Sequence, residues 1–389
     1  GTFSAGTGTL TYNGTTDQIV AGVSYNHLSI NKTSGVATLN SSLTMNGNLA
    51  VIAGSFDLNL ITLNVNGNLD ISTGATIDCN NTDINLAGNW TKSGSYIFTS
   101  GTVTLNGSGA QTISEGSFNN LTINKTSGTA TLTGNNIIAG NLSILAGILD
   151  LSNFTANRQS VGGFFSMAAG VNLQVGGANN FPANFSTNTL NATSTVHYNG
   201  NVAQTVKAVT YGHLTCSNGG SNAKTQSANT AIAGDLLINS TATFHSGGFF
   251  TTLSGNWTND GIFTSSTGTV ILNGISKIIT GNTTFNQFTV NGSYTVAGSN
   301  INYNSNLVIS LGASYTAGNG IANVSGNLTN NGTLTSTGTT NFTGTSAQTI
   351  RLVNALLSSS TGIINFNGNI APVLNSTSSP QFATLNINN

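Results

Sequence analysis

Titratable and metal-binding side chains are scarce in this chain, and their spacing limits the chemistry open to it. Four aspartates, Asp57, Asp70, Asp78 and Asp83, lie close together in sequence. Asp57 and Asp78 stand about one structural repeat apart, and Asp150 takes the place of Asp57 in the following long repeat. Carboxylates on adjacent coils, with asparagine carbonyls nearby, suit a hard cation, so Asp57 and Asp78 are the candidate calcium ligands. The nonapeptide signature of calcium-binding solenoids is absent, and surface acids bonded to Asn and Thr are the competing reading. No other cofactor is expected. The histidines, His27, His197, His213 and His245, are dispersed; His27 and His213 hold equivalent positions that Asn120 and Gln287 fill elsewhere, which reads as a polar surface site. Cys79 and Cys216 are too few for a disulfide framework and are expected as buried thiols. Glu115 is the single glutamate, and no serine sits in a nucleophile elbow. General acid/base catalysis needs paired titratable groups, so the chain is not expected to be an enzyme.

The composition explains why so few candidates exist. Charged residues make 4% of 389, against about 25% in an ordinary soluble protein. The formal net charge is −1, and no charged side chain lies between Ile278 and Ile350 or after Arg351. Nucleic acid and anionic lipid are poor partners for such a surface. No apolar run approaches the ~20 residues of a membrane helix. Disorder is also excluded, because Phe stands at 18 and Pro at 3, with Val, Ile and Leu throughout. Asn, Thr, Ser and Gly disfavour long helices, which leaves an all-β chain.

An internal repeat organises it. Gly8-Thr-Leu-Thr-Tyr-Asn-Gly14 returns as Gly101-Thr-Val-Thr-Leu-Asn-Gly107, and more loosely up to Gly200, Gly274, Gly344 and Gly368. A second block follows in the first four copies: Tyr25-Asn-His-Leu, Phe118-Asn-Asn-Leu, Tyr211-Gly-His-Leu and Phe285-Asn-Gln-Phe. The marker glycines are separated by 93, 93, 74, 70 and 24 residues. The shortening by about 19 and the final interval both match one coil of a solenoid, whose repeats span roughly 20 to 45 residues. Tandem β-sandwich domains are the alternative, but a sandwich cannot lose a fifth of itself and keep its core. A parallel β-helix of about 18 rungs is therefore expected, as one solenoid with degenerate repeats at approximately 8–100, 101–193, 194–267, 268–338, 339–361 and 362–389. Trp90 and Trp257 sit in matching Gly-Asn-Trp-Thr motifs where Leu328 fills the same place, which predicts an interior packing position. Thr, Asn and apolar residues alternate along the strands, and stacked Asn and Thr are expected to form side-chain ladders. Asn-x-Ser/Thr triplets occur about as often as the composition itself predicts.

The run Gly101-Thr-Val-Thr-Leu-Asn-Gly-Ser-Gly-Ala-Gln-Thr-Ile113, followed by Phe118-Asn-Asn-Leu-Thr-Ile-Asn124, resembles the repeats of secreted and cell-surface β-solenoid proteins of the Bacteroidetes type, which are similar to adhesin stalks. The resemblance implies extracellular display at the cell surface and carries over no functional residue. Both termini fall in mid-repeat, so the partners expected are flanking repeats of a longer chain or a second copy, end to end. The reading is a structural rod forming a stalk, sheath or filament by self-assembly. Its alternative is an adhesin or glycan-binding module.

Overall fold

The computed structural model describes residues 6–353, 356–377 and 379–388. Residues 1–5 and Asn389, on which the reading of mid-repeat termini partly rests, lie outside them. The described residues are all β, with no helix among them, and form about 19 turns of a parallel β-solenoid. They divide into two compact units, Gly1–Ser194 and Thr195–Asn389, the second starting within the third copy of the repeat. Within each unit the strands pair in parallel with strands of the neighbouring coil. The antiparallel pairing of sandwich domains does not occur among the described residues.

In the first unit the core is built from columns of equivalent residues. Leu28 lies in register with Leu49, Leu49 with Leu69, Leu69 with Trp90, and Trp90 with Ile113, at intervals of 20 to 23 residues. Each is at most 1% exposed. Full burial of such side chains contributes about 1.5–3 kcal/mol apiece, so one column forms a continuous apolar seam. The second unit repeats the pattern with Leu214, Leu236, Trp257 and Ile279. Leu328 stands in a third column between Leu307 and Ile350. Trp and Leu thus exchange at one interior site, as the matching motifs predict.

Outward positions alternate with these. Thr44, Asn64, Asn85, Thr104 and Thr122 form a surface row of small polar side chains, one per coil. In the second unit a ladder of amides runs across six coils: Asn302 Nδ2 donates to Thr284 Oγ1, and Asn323, Asn341, Asn365 and Asn386 each donate to the Oδ1 of the Asn one coil earlier at 2.8 Å. The expected side-chain ladders are present.

Corners need backbone freedom at particular places. The long strands His27–Leu39 and Asn120–Leu132 bend around Gly35 and Gly128, whose φ values are 69° and 73°. A Cβ there would lie 2.6 Å from backbone atoms of Thr16 and Gly109 respectively, so both conformation and space require glycine.

The variation between repeats is itself ordered. Tyr12 and Tyr25 hydroxyls meet at 3.0 Å, and Tyr198 and Tyr211 at 2.9 Å. Tyr211 Oη donates to Lys207 O at 2.6 Å, while Lys207 N donates to Tyr198 Oη at 3.0 Å. In the second and fourth copies the same positions hold Leu105 with Phe118 and Leu272 with Phe285. The two hydroxyls are gained or lost together, because one alone leaves a buried polar group without its partner. Tyr198→Phe should therefore cost about 1–3 kcal/mol, and Tyr198→Leu/Tyr211→Phe less than the sum of its single substitutions. A double-mutant cycle in urea measures the coupling.

Candidate functional site

The marker glycines define a polar corner in which lysine is buried. Four residues after each of Gly14, Gly107 and Gly200 stands a glutamine whose Oε1 accepts from the glycine N–H, at 2.9, 3.0 and 3.0 Å. At the second corner Gln111 Nε2 also donates to Leu86 O and Gly88 O on the preceding coil. The corner carbonyls point inward and require donors. An ammonium group has three donors and no acceptor, and Lys32 Nζ donates to Gly14 O at 2.8 Å, Thr16 O at 2.7 Å and Gln18 Oε1 at 3.0 Å. Lys125 reaches Gly107 O and Gln111 Oε1 at 2.7 and 2.5 Å, and Lys224 reaches Gly200 O and Val202 O at 2.5 and 3.1 Å. All three lysines are at most 1% exposed, and none is within ion-pair distance of a carboxylate among the described residues. Burial pushes the Lys125 and Lys224 ammonium groups below the usual lysine value.

The fourth corner reaches the same end differently. Tyr294 Oη accepts from Gly274 N at 3.1 Å and faces Leu253 O and Gly255 O at 3.2 and 3.0 Å, the counterparts of the Gln111 partners. Gly274 O is satisfied by Ser293 N at 2.8 Å, so this corner needs no lysine.

Along the corners, side chains accept from the backbone of the next coil. His27 Nδ1 accepts from Asn48 N at 2.9 Å, then Asn48, Asn68 and Asn89 Oδ1 accept in turn from Asn68, Asn89 and Thr112 N at 2.8 Å. His213 Nδ1 starts the matching series in the second unit, from Asp235 N at 2.8 Å, and Asp235 Oδ1 accepts from Asn256 N. Asn120 fills the same role toward Asn141 N. A histidine here acts as an asparagine would, with its unprotonated Nδ1 as the carbonyl surrogate.

The acids are likewise engaged. Asp57 and Asp78 do lie in register on adjacent coils, yet each accepts from its own chain two residues on, at Asn59 N and Asn80 N, closing turns in which Asn59 and Asn80 adopt φ of 47° and 48°. Asp150 does the same with Ser152 N. Asp83 caps Thr102 N on the next coil, and Asp70 lies in a different column, opposite Ala50 and Thr91. Among the described residues no group of three or more His, Cys, Asp or Glu is placed to hold a metal ion.

Two hydroxyl–imidazole pairs occur, His197 Nε2 with Ser217 Oγ at 2.6 Å and His245 Nδ1 with Thr264 Oγ1 at 2.9 Å. Burial, with the Lys224 charge nearby, lowers the His197 pKa. No carboxylate among the described residues is within ion-pair distance of either ring to complete a triad. Cys79 and Cys216 are free and buried, and burial pushes the Cys216 thiol up to about 12, which makes it a poor nucleophile.

The tryptophans differ in one respect. Trp257 Nε1 donates to Thr283 Oγ1 at 3.3 Å, and Asn259 Nδ2 shares that hydroxyl at 3.0 Å. In the first unit the corresponding residues are Trp90, Gly116 and Lys92. Trp90 Nε1 and Asn136 Oδ1 are buried without a partner among the described residues.

Sequence reasoning missed the buried lysines. The available signal was Gly-x-x-x-Gln at four marker glycines, Gly14, Gly107, Gly200 and Gly344, with a lysine 18 residues after the first two.

No family model, curated protein or solved structure matches this chain.

Lys125→Met should cost about 1–3 kcal/mol for each acceptor left bare. A lysine whose folded pKa is depressed penalises the fold below that pKa, and the penalty fades as pH rises to about 10.5. The buried thiols Cys79 and Cys216 and the buried tyrosines Tyr198, Tyr211, Tyr303 and Tyr315 have raised values and act oppositely, the thiols above about 9 and the tyrosines above about 10. Stability should therefore climb toward about pH 9 and fall above about 10, and Lys125→Met should flatten the climb in urea titrations at stepped pH. Gly116→Thr, which would give Trp90 the acceptor that Thr283 gives Trp257, should raise stability by about 1 kcal/mol in the same assay. The added Cβ would lie 3.3 Å from the flexible Lys92 Cε and 3.6 Å from Asn136 Oδ1.

Proposed function

We propose that this chain is a structural protein of the cell exterior, a β-solenoid stalk or filament component with no catalytic role. One observation carries the reading: the side chains that could act on a ligand are occupied in holding coils together. Six of the eight aspartates accept backbone N–H bonds. Three lysines close corners, and the surface asparagines bond to their own counterparts. A surface of Thr, Ser and Asn with almost no charge also leaves association between copies electrostatically unopposed.

A second reading, a glycan-binding module, is favoured by one feature. An open cavity of about 430 Å³ is lined by Arg351, Val353, Leu374, Asn375, Ser376 and Thr377. A guanidinium beside amide, hydroxyl and apolar groups suits an acidic sugar, with the carboxylate on Arg351.

Antibody labelling of intact and lysed source cells, together with a glycan array, separates these readings. The structural role predicts label on intact cells in rods or fibres and no selective glycan. Label confined to lysed cells would overturn the surface assignment. Selective binding of uronate glycans, lost in Arg351→Gln, would favour the second reading.

A further inference from the structure

The corner at Gly344 copies the lysine-filled corners but has no lysine. The sequence Gly344-Thr-Ser-Ala-Gln348 repeats the Gly-x-x-x-Gln spacing. Gln348 is 4% exposed, and its Nε2 donates to Val324 O at 2.9 Å and to Gly326 O. These are the counterparts of Leu86 O and Gly88 O, which receive the Gln111 amide. The Nε2 end of the amide is thus held as it is in Gln111, with Oε1 close to Gly344 but without the glycine N–H bond it accepts at Gly107. At Gly107 that oxygen accepts from both Gly107 N and the Lys125 ammonium. At Gly344 nothing among the described residues donates to Gln348 Oε1 or to the Gly344 carbonyl.

The register explains the missing cation. Tyr12 pairs with Ile30, two residues before Lys32, and Phe342 pairs with Phe366, two residues before Gly368. Gly368 therefore stands where Lys32 and Lys125 stand in their repeats. The fourth corner also replaces this lysine with a glycine, Gly292, but there Ser293 N bonds the Gly274 carbonyl and Tyr294 Oη stands in for the glutamine at Gly274 N. Among the described residues no group makes the equivalent bonds to the Gly344 carbonyl or Gln348 Oε1.

We propose that the Gly344 corner binds a monovalent cation of the potassium or ammonium class, in the place a lysine ammonium takes at Gly14, Gly107 and Gly200. The donor set is two main-chain carbonyls, of Gly344 and Ser346, and Gln348 Oε1, with water completing the shell. Carbonyl oxygens replace the hydration shell of potassium well, and the ammonium-to-oxygen distances at the related Lys32 corner, 2.7 to 3.0 Å, are of the length such a cation takes. The set carries no carboxylate, which disfavours calcium and magnesium. The corner is a fourth cation site of one design, filled from solution instead of from the chain.

The test is amide hydrogen exchange of Gln348–Leu352 in the full chain, in potassium chloride against choline chloride at matched ionic strength. Exchange should slow about tenfold in potassium at about ten times its dissociation constant. Gly368→Lys, whose Cβ would lie 2.6 Å from Gly344 O and must displace that backbone slightly, should give that protection in both salts. Gln348→Met, which keeps the bulk and removes Oε1, should abolish the potassium effect, and it decides the matter should Gly368→Lys not fold. Equal exchange of the natural chain in the two salts, as expected if only water fills the corner, would overturn the proposal. So would a potassium effect that persists in Gln348→Met.

Discussion

Every side chain in a parallel solenoid meets its own equivalent one strand spacing away, about 4.8 Å, and most of this structure follows from that condition. A residue type is tolerated only if it tolerates a copy of itself or a close relative. Apolar residues satisfy the condition inside, as in the Leu28 to Ile113 column. Asparagine satisfies it outside, because one amide both donates and accepts. Like charges at that distance repel, which gives the 4% charged content a structural cause.

The same condition governs the exceptions. A buried lysine is costly unless its protons are used, and here each sits among carbonyls that the coil's own geometry leaves unpaired. Lysine, tyrosine and backbone N–H groups solve one problem at successive corners, which is why the marker glycines persist while the residues that serve them change. The tyrosine pairs behave alike: two hydroxyls enter a core together or stay out together.

The architecture was legible in the sequence because a solenoid writes its period along the chain. The marker-glycine intervals, shortened by about 19 and ending at 24, set the coil length, and the exchange of Trp90, Trp257 and Leu328 pointed to an interior position. The register of Asp57 on Asp78 was also visible as a spacing. What each acid does with that position was not, because turn closure by its own carboxylate is a matter of backbone angles at Asn59 and Asn80. The lysine corners escaped for another reason. Lysine is normally a surface residue, and the partners of Lys32 lie 14 to 18 residues earlier, on a neighbouring coil. Exchange with Asn120 and Gln287 marks His27 and His213 as polar positions in the sequence; that they stand in for asparagine in a bonded series depends on which backbone N–H lies one coil on.

The amide ladder from Thr284 to Asn386 has a direction: every Nδ2 donates toward the earlier coil and every Oδ1 faces the later one. Dipoles aligned head to tail add, as peptide dipoles do in a helix, and each bond polarises the next. The column therefore carries a net dipole along the stacking direction, in a chain whose formal charge is only −1. The oriented field that most proteins draw from charged side chains is supplied here by neutral amides, and salt has no counter-ions of theirs to exchange.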